Sequence, residues 1–365
     1  MVPCRGIFFT KAEKEMAVFW IGIFAVVCCV CTSLTVLTFF IDMDRFRYPE
    51  RSIIFLSGCY LMVSIGYIIR SYVGHEPIAC DGPIIRYERT GPAPIVCVVV
   101  FLLIYYFGMA SSVWWVVLTI TWFLSAGLKW SNEGIAGYSQ YFHLFAWFIP
   151  TIKSVIILGI GAIDGDPFSG VCFVGNQDLN NLMSFVIVPY ITYIGVGLFF
   201  LMTGFISLFR IRKLLRERVK ADKLEKLMIR IGFFSFLYIV PGVVVVGCYL
   251  YEYHYRSLWE RQYNCDCPLT PETPYYSIFL LKYIMCLIVG ITSGFWIWSA
   301  KTIDSWGRLY NRFCCGSSAG SSRSGGSQLI GGSQFGISNT RNLKQKQITV
   351  GSHISHNKQI PLSHV

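Results

Sequence analysis

The chain has 365 residues, of which 54% are hydrophobic, 16% aromatic and only 14% charged, and its mean hydropathy is +0.53. This composition excludes an ordinary soluble domain, because the apolar residues are more than a soluble core can bury. The net charge of +11 does not indicate nucleic-acid binding, because the basic residues border apolar runs rather than lying on a polar domain. We therefore predict an all-α membrane protein.

Seven apolar runs are each long enough to cross a hydrocarbon core of about 30 Å, which takes about 20 helical residues. In chain order they cover residues 17–41, 52–73, 95–128, 141–162, 183–209, 228–250 and 277–300. The third run would form a helix of roughly 50 Å, so we expect it to tilt or to project beyond the bilayer. The pattern predicts a seven-transmembrane helix bundle.

The lysines and arginines between the runs predict the orientation, because cytoplasmic loops carry an excess of them. The connections 42–51, 129–140, 210–230 and 301–365 hold 21 of these residues, whereas the N-terminal segment and the other three connections hold seven. We therefore expect an extracellular N-terminus and a cytoplasmic C-terminus in a multi-pass protein. Residues 1–16 are polar and do not read as a cleavable signal peptide.

Some of the 14 cysteines are expected on the outer side, where disulfides persist. They are Cys4, Cys80, Cys97, Cys172, Cys265 and Cys267. We favour a bridge between Cys97 and Cys172, which would tie the second outer loop to the third run, and then a bridge between Cys4 and Cys80. The sequence alone fixes neither pairing and leaves Cys265 and Cys267 open.

Several ordered stretches carry a family resemblance: IDMDRFRYPER at 41–51, YFGMASSVWW at 106–115, VGNQ at 174–177, DKLEKLMIRIG at 222–232, and Lys-Thr-x-x-x-Trp at 301–306, directly after the seventh run. Together they identify a chain that resembles Frizzled receptors over almost its whole length. The terminal PLSHV is most similar to the five/eight subgroup. An ordinary rhodopsin-like receptor is disfavoured, because the third run ends without an acidic-Arg-aromatic triplet and the seventh has no Asn-Pro pair.

The resemblance implies a Wnt receptor that binds its ligand through an N-terminal cysteine-rich domain and signals by recruiting Dishevelled. It also implies a low-density-lipoprotein-receptor-related co-receptor, and it allows heterotrimeric G proteins as partners. The sequence contains no cysteine-rich domain. We therefore interpret the chain as a fragment or an N-terminally incomplete form, and we do not expect it to bind Wnt with normal affinity.

The resemblance further assigns residues to the cytoplasmic face. Those that match Dishevelled-binding positions lie in the first and third inner loops and after the seventh run: Arg45, Arg47, Lys223, Lys226, Lys301, Thr302 and Trp306. Arg230 matches an arginine that pairs with a tryptophan of the seventh run, here Trp296, as a latch of the inactive state. The basic third inner loop is also expected to attract anionic membrane lipids.

Residues 301–313 predict a short amphipathic eighth helix, because Ile303, Trp306, Leu309 or Tyr310, and Phe313 recur at three-to-four spacing. The pattern alone favours a membrane anchor lying in the interface. The family resemblance instead favours a docking element for Dishevelled.

The chain is divided into an extracellular linker remnant at 1–16, the bundle with its amphipathic helix at 17–313, and a disordered cytoplasmic tail at 314–365. Cys314 and Cys315 lie where juxtamembrane cysteines are palmitoylated, although two reduced thiols without a role fit as well. Ser363 and Val365 fit the C-terminal pattern of a ligand for PDZ proteins.

Three basic residues fall inside the runs: Arg70, Lys153 and Lys282. We expect Arg70 to reach solvent or the loops and Lys282 to contact the loops or the top of the third run. No Asp or Glu falls within a run as drawn, which argues against proton-coupled transporters and intramembrane proteases. We predict no enzyme, cofactor or metal site.

Two alternatives remain open at this point. One is a Smoothened-like receptor that responds to a sterol and acts on G proteins. The other is a truncated form that titrates Dishevelled without binding Wnt.

Overall fold

The structure is a computed structural model that describes residues 3–4, 8–43, 46–87, 91–214, 222–264, 274–297 and 300–314. Side chains are described there except at 211–214, 222–228, 263–264, 295–297, 300–301, 304 and 311–314. Among the described residues, seven helices are long and apolar enough to cross a membrane: Lys11–Ile41, Glu50–Val73, Ile95–Ala126, Ser139–Gly159, Leu179–Arg210, Ile229–Gln262 and Tyr276–Gly294. We call them the first to the seventh helix. The predicted seven-helix fold is confirmed.

Helical backbone continues beyond some of these bounds. The fifth helix ends at Leu214, the sixth covers Asp222–Asn264 and the seventh ends at Ile297. A separate amphipathic helix follows at Ala300–Cys314. Short helices at Glu76–Ala79 and Asn132–Ala136 lie in the connections.

The first and sixth helices are longer than the sequence pattern predicted. The first begins at Lys11 because Thr10 and Glu13 form a capping box, in which each side chain accepts the other residue's backbone N–H. Residues 11–16, expected in a linker, are therefore helical. The sixth continues past residue 250 because Glu252, at which hydropathy falls, finds charged partners without leaving the helix.

The third helix occupies the centre of the bundle and packs against the second, fourth, fifth and sixth helices. Its Trp115 and Trp122 are fully buried. They fit because the fifth helix presents Gly197 and Gly204 to them, where an added Cβ would overlap each indole ring. These glycines permit the close approach of the third and fifth helices.

A π-helical turn interrupts each of these two helices, at Leu102–Tyr106 and at Met183–Ile187. The two turns are joined by Tyr105, whose hydroxyl donates to the carbonyl of Phe185 at 2.9 Å. Pro189, four residues beyond Phe185, has no N–H to offer that carbonyl. The tyrosine therefore satisfies a carbonyl that a regular helix would leave without a donor.

One end of the bundle carries two antiparallel hairpins and two disulfides, and we call it the bridged end. Cys80–Asp81 pairs with Ile84–Ile85, and Ile163–Gly165 pairs with Cys172–Val174. Disulfides join Cys4 to Cys80 and Cys97 to Cys172. The first bridge ties the N-terminal segment to the first hairpin, and the second ties the second hairpin to the third helix. The amphipathic helix lies at the opposite end.

Candidate functional site

The amphipathic helix is anchored on the end of the first helix. Trp306 donates its indole Nε1–H to Thr38 Oγ1 at 3.0 Å. Thr38 in turn donates its hydroxyl to the Leu34 carbonyl at 2.7 Å, which fixes its lone pairs toward the indole. Thr302 lies one turn before Trp306 on the same face, and it is 8% exposed.

A second set of contacts lies beside this bond. Asp42, the C-cap residue of the first helix, accepts a hydrogen bond from Ser305 Oγ at 3.1 Å. Arg308 approaches the same carboxylate at 3.8 Å and donates to Ser305 Oγ at 3.0 Å. A chain segment 263 residues further along is thus attached to the first helix by an aromatic donor and by a small ionic cluster.

The face of this helix that meets the bundle differs from the predicted apolar face. Trp306 and Leu309 are half-buried, and Ser305 is 2% exposed. Ile303, predicted on the same face as Trp306, and Tyr310, predicted there as the alternative to Leu309, are each 65% exposed. The reason is angular: Thr302, Ser305 and Trp306 share one side, while Ile303 and Tyr310 lie next to it and are available to other surfaces.

The first connection lies beside the end of the first helix and supplies one predicted cation, Arg47, which is exposed. The guanidinium of Arg51 lies 5.8 Å from the ring centroid of Phe39 on the first helix. Phe46 is buried and packs on the same ring, with centroids 5.9 Å apart. Arg51 therefore lies over an aromatic ring of the first helix, and Arg47 is exposed in the same connection.

Other predicted site residues fall partly or wholly outside the described part of the chain. Arg45, Cys315, Ser363 and Val365 lie outside it, as do Cys265 and Cys267. For a further group only the backbone is described, and it is helical: Lys223, Lys226, Trp296, Lys301 and Cys314. Arg230 is described and exposed.

Sequence reasoning missed a buried ionic cluster at the bridged end. Lys282 of the seventh helix donates to Glu252 Oε2 of the sixth at 2.9 Å, and Arg256 pairs with the other carboxylate oxygen. Arg256 also donates to the Gly175 carbonyl at 2.8 Å. All three side chains are at least nine-tenths buried. The hydrogen-bond partner of Lys282 is therefore on the sixth helix, and not on the third helix or in the loops as expected, although its charge also acts on Asp166 of the second hairpin.

This cluster corrects the sequence argument about carboxylates within the spans. Glu252 lies inside the sixth helix, so the spans do contain an acidic residue. The sequence pattern placed it in a loop because the apolar run ended at residue 250. Two buried cations pair with its carboxylate, and through Lys282 this carboxylate joins the sixth helix to the seventh.

Two aspartates of the second hairpin complete the polar layer of the bridged end. Asp166 is buried, which opposes ionisation, but Lys282 and several hydrogen-bond donors outweigh this and hold its pKa below the usual value. Burial raises the pKa of Asp164 to about 7, against hydrogen bonds from Gln177 and Asn176. The layer thus pairs an ionised carboxylate with one that titrates near neutral pH.

One group at this end has the chemistry of metal ligands, formed by Cys4, His75 and Cys80. Both sulfurs belong to the same disulfide, so they do not offer thiolates to an ion.

A small cavity lies in the middle of the bundle, among Tyr60, Ser112, Tyr190, Tyr238 and Cys286. Its volume is about 20 Å³. That is room for roughly one water molecule, for which the tyrosine and serine hydroxyls are suitable partners.

Comparison with known proteins agrees with the geometry. The family described as the Frizzled/Smoothened family membrane region matches residues 8–313. Frizzled-5 of Xenopus laevis is 54% identical over 367 residues, which cover 100% of this chain and 63% of that relative. Frizzled-8 of Xenopus laevis is 53% identical, with 100% of this chain and 62% of the relative covered. The chain thus spans a little under two thirds of these relatives.

The solved structure of squid rhodopsin gives a TM-score of 0.54 at 13% identity, and covers 85% of this chain and 84% of that protein. This likeness concerns the fold alone.

Proposed function

The chain belongs to the Frizzled/Smoothened family, and on this premise we propose that it is the transmembrane region of a Frizzled-type Wnt receptor, which recruits Dishevelled at the opposite end of the bundle. The observation that carries the proposal is the anchoring of the Lys-Thr-x-x-x-Trp helix through Trp306 and Thr38. This bond attaches the amphipathic helix to the bundle, so that a displacement of the first helix would also displace the amphipathic helix.

Within this proposal the hexapeptide has mainly a positioning role. The side chains of Thr302 and Ser305 are buried and that of Trp306 is half-buried, so they offer a partner little surface. The adjoining exposed side chains are Ile303, Arg308 and Tyr310. Dishevelled would meet these residues, together with cations of the loops and Lys301.

The loop cations supply the charge of this surface. Arg47 of the first connection is exposed, and we include it with Arg45, Lys223 and Lys226 in the same proposed docking surface. Exposed charges of one sign speed the encounter with an acidic partner and fix its orientation more than they add affinity. The same charges would hold this end near anionic membrane lipids.

The proposed orientation places the bridged end outside the cell and the opposite end in the cytoplasm. The excess of lysine and arginine in the connections of the opposite end supports it. So does the position of both disulfides at the other end. Tagging the N-terminus and staining unpermeabilised cells tests the orientation directly.

The proposal also includes partners that the contacts of the described residues do not test. We include Wnt through a cysteine-rich domain outside this sequence, a low-density-lipoprotein-receptor-related co-receptor, heterotrimeric G proteins, and PDZ proteins at Ser363 and Val365. Cys314 and Cys315 are proposed palmitoylation sites. Arg230 and Trp296 are proposed as the inactive-state latch.

The sterol-responsive alternative gains no support from the core cavity. Its volume of about 20 Å³ suits a water molecule, whereas a sterol needs a cavity of at least roughly 300 Å³. Dishevelled recruitment is therefore the function that the described geometry supports best.

The test is recruitment of fluorescently tagged Dishevelled to the plasma membrane by cells that express this chain. Trp306→Ala, at the same surface level, should lose recruitment. Equal recruitment by parent and variant would overturn the proposed role of the anchored helix, and no recruitment by a correctly folded parent would overturn the proposed function.

A further inference from the structure

The fourth helix carries a lysine on the side of the bundle that meets lipid. Lys153 lies within this spanning helix and is half-buried, while its neighbours Ile152 and Val155 are exposed. Its Nζ donates to the hydroxyl of Tyr193 on the fifth helix at 3.1 Å and lies 5.1 Å from the centroid of the same ring. Lys153 therefore sits at the outer edge of the contact between the fourth and fifth helices, with part of its side chain open to the membrane.

The surroundings of Lys153 supply no negative charge. Tyr193 offers a hydroxyl oxygen and an aromatic face, but it is neutral. Among the residues that the structure describes, no carboxylate forms a salt bridge with Lys153 or acts on it electrostatically. An ammonium group has three donors, and the tyrosine takes one of them. A lysine charge inside a membrane span is costly and is normally paired, so this ammonium lacks a counter-charge.

The depth of Lys153 argues against a lipid headgroup as that counter-charge. The exposed apolar residues of the fourth helix continue to Ile160, which is 48% exposed, so the hydrocarbon region reaches at least this level. Lys153 lies about 10 Å further in, at 1.5 Å per residue. Its side chain also leans toward the N-terminus of its helix, and hence away from the bridged end. A phosphate, which belongs outside the hydrocarbon region, would have to descend by roughly that distance.

A second copy of this chain does not offer the counter-charge either. Glu252, the acidic residue well inside the spans at the bridged end, is 3% exposed and already paired with two cations. The other carboxylates that the structure describes in the spanning helices at this end lie nearer the helix ends: Glu13, Glu15 and Glu260. The missing charge must therefore come from a different molecule that places a carboxylate within the membrane.

We propose that Lys153 binds a membrane-spanning helix of another protein, one that carries an Asp or Glu about 10 Å inside its boundary at the bridged end. The partner helix would lie along the stripe that Ile149, Lys153, Ile156 and Ile160 form at three-to-four spacing. The ammonium donates to one carboxylate oxygen. The hydroxyl of Tyr193, which accepts from Lys153, donates its own proton to the other.

This surface is separate from the proposed Dishevelled site at the opposite end. Hydrogen bonds between helices hold membrane-spanning helices together, and a charged partner makes such a bond stronger. The surrounding apolar side chains do not distinguish a partner helix from lipid. The carboxylate therefore provides the specificity, and a partner without one should not be selected.

The experiment places the full chain in phosphatidylcholine vesicles at about pH 8 with a synthetic leucine-rich helix of about 21 residues. One version of this peptide carries a single Glu about seven residues from its end, and the matched version carries Gln there. Binding is followed by energy transfer between a fluorophore on the peptide and one at the N-terminus of the chain. We expect the Glu peptide to bind about tenfold more tightly, as a hydrogen bond to a charged group would produce. Equal binding of the two peptides would overturn the proposal.

Two variants assign the effect to this lysine. Lys153→Met keeps the apolar stem and removes the charge, so the Glu peptide should bind it no better than the Gln peptide does. Lys11→Met is the matched control, because Lys11 is an exposed lysine at the bridged end that lies 3.8 Å from Glu15; it should keep the preference. A preference that survives in Lys153→Met, or that is lost in Lys11→Met, would refute the assignment. The comparison of the two peptides uses the parent alone and decides the matter even if Lys153→Met does not fold.

Spin-labelled phosphatidylserine in the same vesicles tests the lipid alternative. If its immobilised fraction falls in Lys153→Met while the two peptides bind the parent equally, Lys153 holds a lipid headgroup and the proposal is overturned. Equal immobilised fractions in parent and variant, together with a preference for the Glu peptide, support the partner helix.

Discussion

Thr38→Val should weaken Dishevelled recruitment, although Thr38 lies inside the first helix and is 1% exposed. The substitution removes the acceptor of the 3.0 Å bond from Trp306 and keeps the branched shape of the side chain. Such a bond contributes a net of about 0.5–1.5 kcal/mol. The ratio of anchored to released amphipathic helix, and with it recruitment at limiting Dishevelled, should therefore fall about 2- to 10-fold.

The matched control is Thr35→Val, one turn earlier on the same helix. Thr35 is also 1% exposed, and its hydroxyl also donates to the carbonyl four residues before it, at 2.9 Å. It therefore shares the burial and the intrahelical bond of Thr38, but this bond lies within the first helix and does not involve the amphipathic helix.

Membrane recruitment of tagged Dishevelled at matched surface level is the assay. Trp306→Ala should be more severe than Thr38→Val, because it removes the packing of the indole as well as the bond. The reasoning is refuted if the two valine variants recruit equally well while Trp306→Ala fails. In that case the indole would act by touching Dishevelled and not by anchoring its own helix.

Three further predictions concern charged groups. Asp42→Asn should reduce recruitment less than 10-fold, because Arg308 is 75% exposed and pairs of this kind contribute at most about 1 kcal/mol; the same recruitment assay measures it. Glu252→Gln should lower the free energy of unfolding by about 3–5 kcal/mol, because Lys282 would remain buried without its carboxylate; thermal unfolding and surface expression measure it. Acidification from about pH 7.5 to 5.5 should lower the unfolding midpoint of the parent more than that of His75→Gln. Burial and two nearby basic side chains lower the pKa of His75 in the folded protein, so the unfolded chain binds more protons and stability is lost as the pH falls through about 6.5.

Two of these predictions have a control variant. Exposed Glu133→Gln should leave the unfolding midpoint nearly unchanged where Glu252→Gln lowers it. For the pH effect, His254→Gln at an exposed position of the sixth helix should behave like the parent. Asp164 titrates near pH 7 with the opposite sign, but it is common to all three proteins and cancels in the comparison. Parallel pH profiles of the parent and His75→Gln would contradict the assignment of the pH effect to His75. Recruitment by Asp42→Asn as low as that by Trp306→Ala would contradict the small contribution expected of the Asp42–Arg308 pair.

The sequence predicted the number of spanning helices because each apolar run is an independent signal, read from about 20 consecutive residues. It also favoured the two observed disulfides, since the topology leaves few cysteines at the bridged end. The extent of the sixth helix was out of reach. The apolar run stops just before Glu252, and the sequence pattern does not show that Lys282 of the seventh helix pairs with this carboxylate.

The anchored helix illustrates the same limit. Spacing predicted an amphipathic helix over 301–313, but spacing alone does not say which stripe meets the bundle. Trp306 turns toward the first helix because Thr38, 268 residues earlier, offers an acceptor there. Contacts of this range depend on how the seven helices pack, and therefore could not be derived from a local pattern.

The length of the sixth helix has a mechanical consequence. Its charged attachment to the seventh helix lies at Glu252, whereas its far end lies at Asp222, about 45 Å away along the axis at 1.5 Å per residue. The attachment is a fulcrum and the rest of the helix is a lever arm. A tilt of about 5° around it moves the far end by about 4 Å while the ionic cluster shifts by a fraction of an ångström, so that a small disturbance at the bridged end is enlarged where the loops of the opposite end begin.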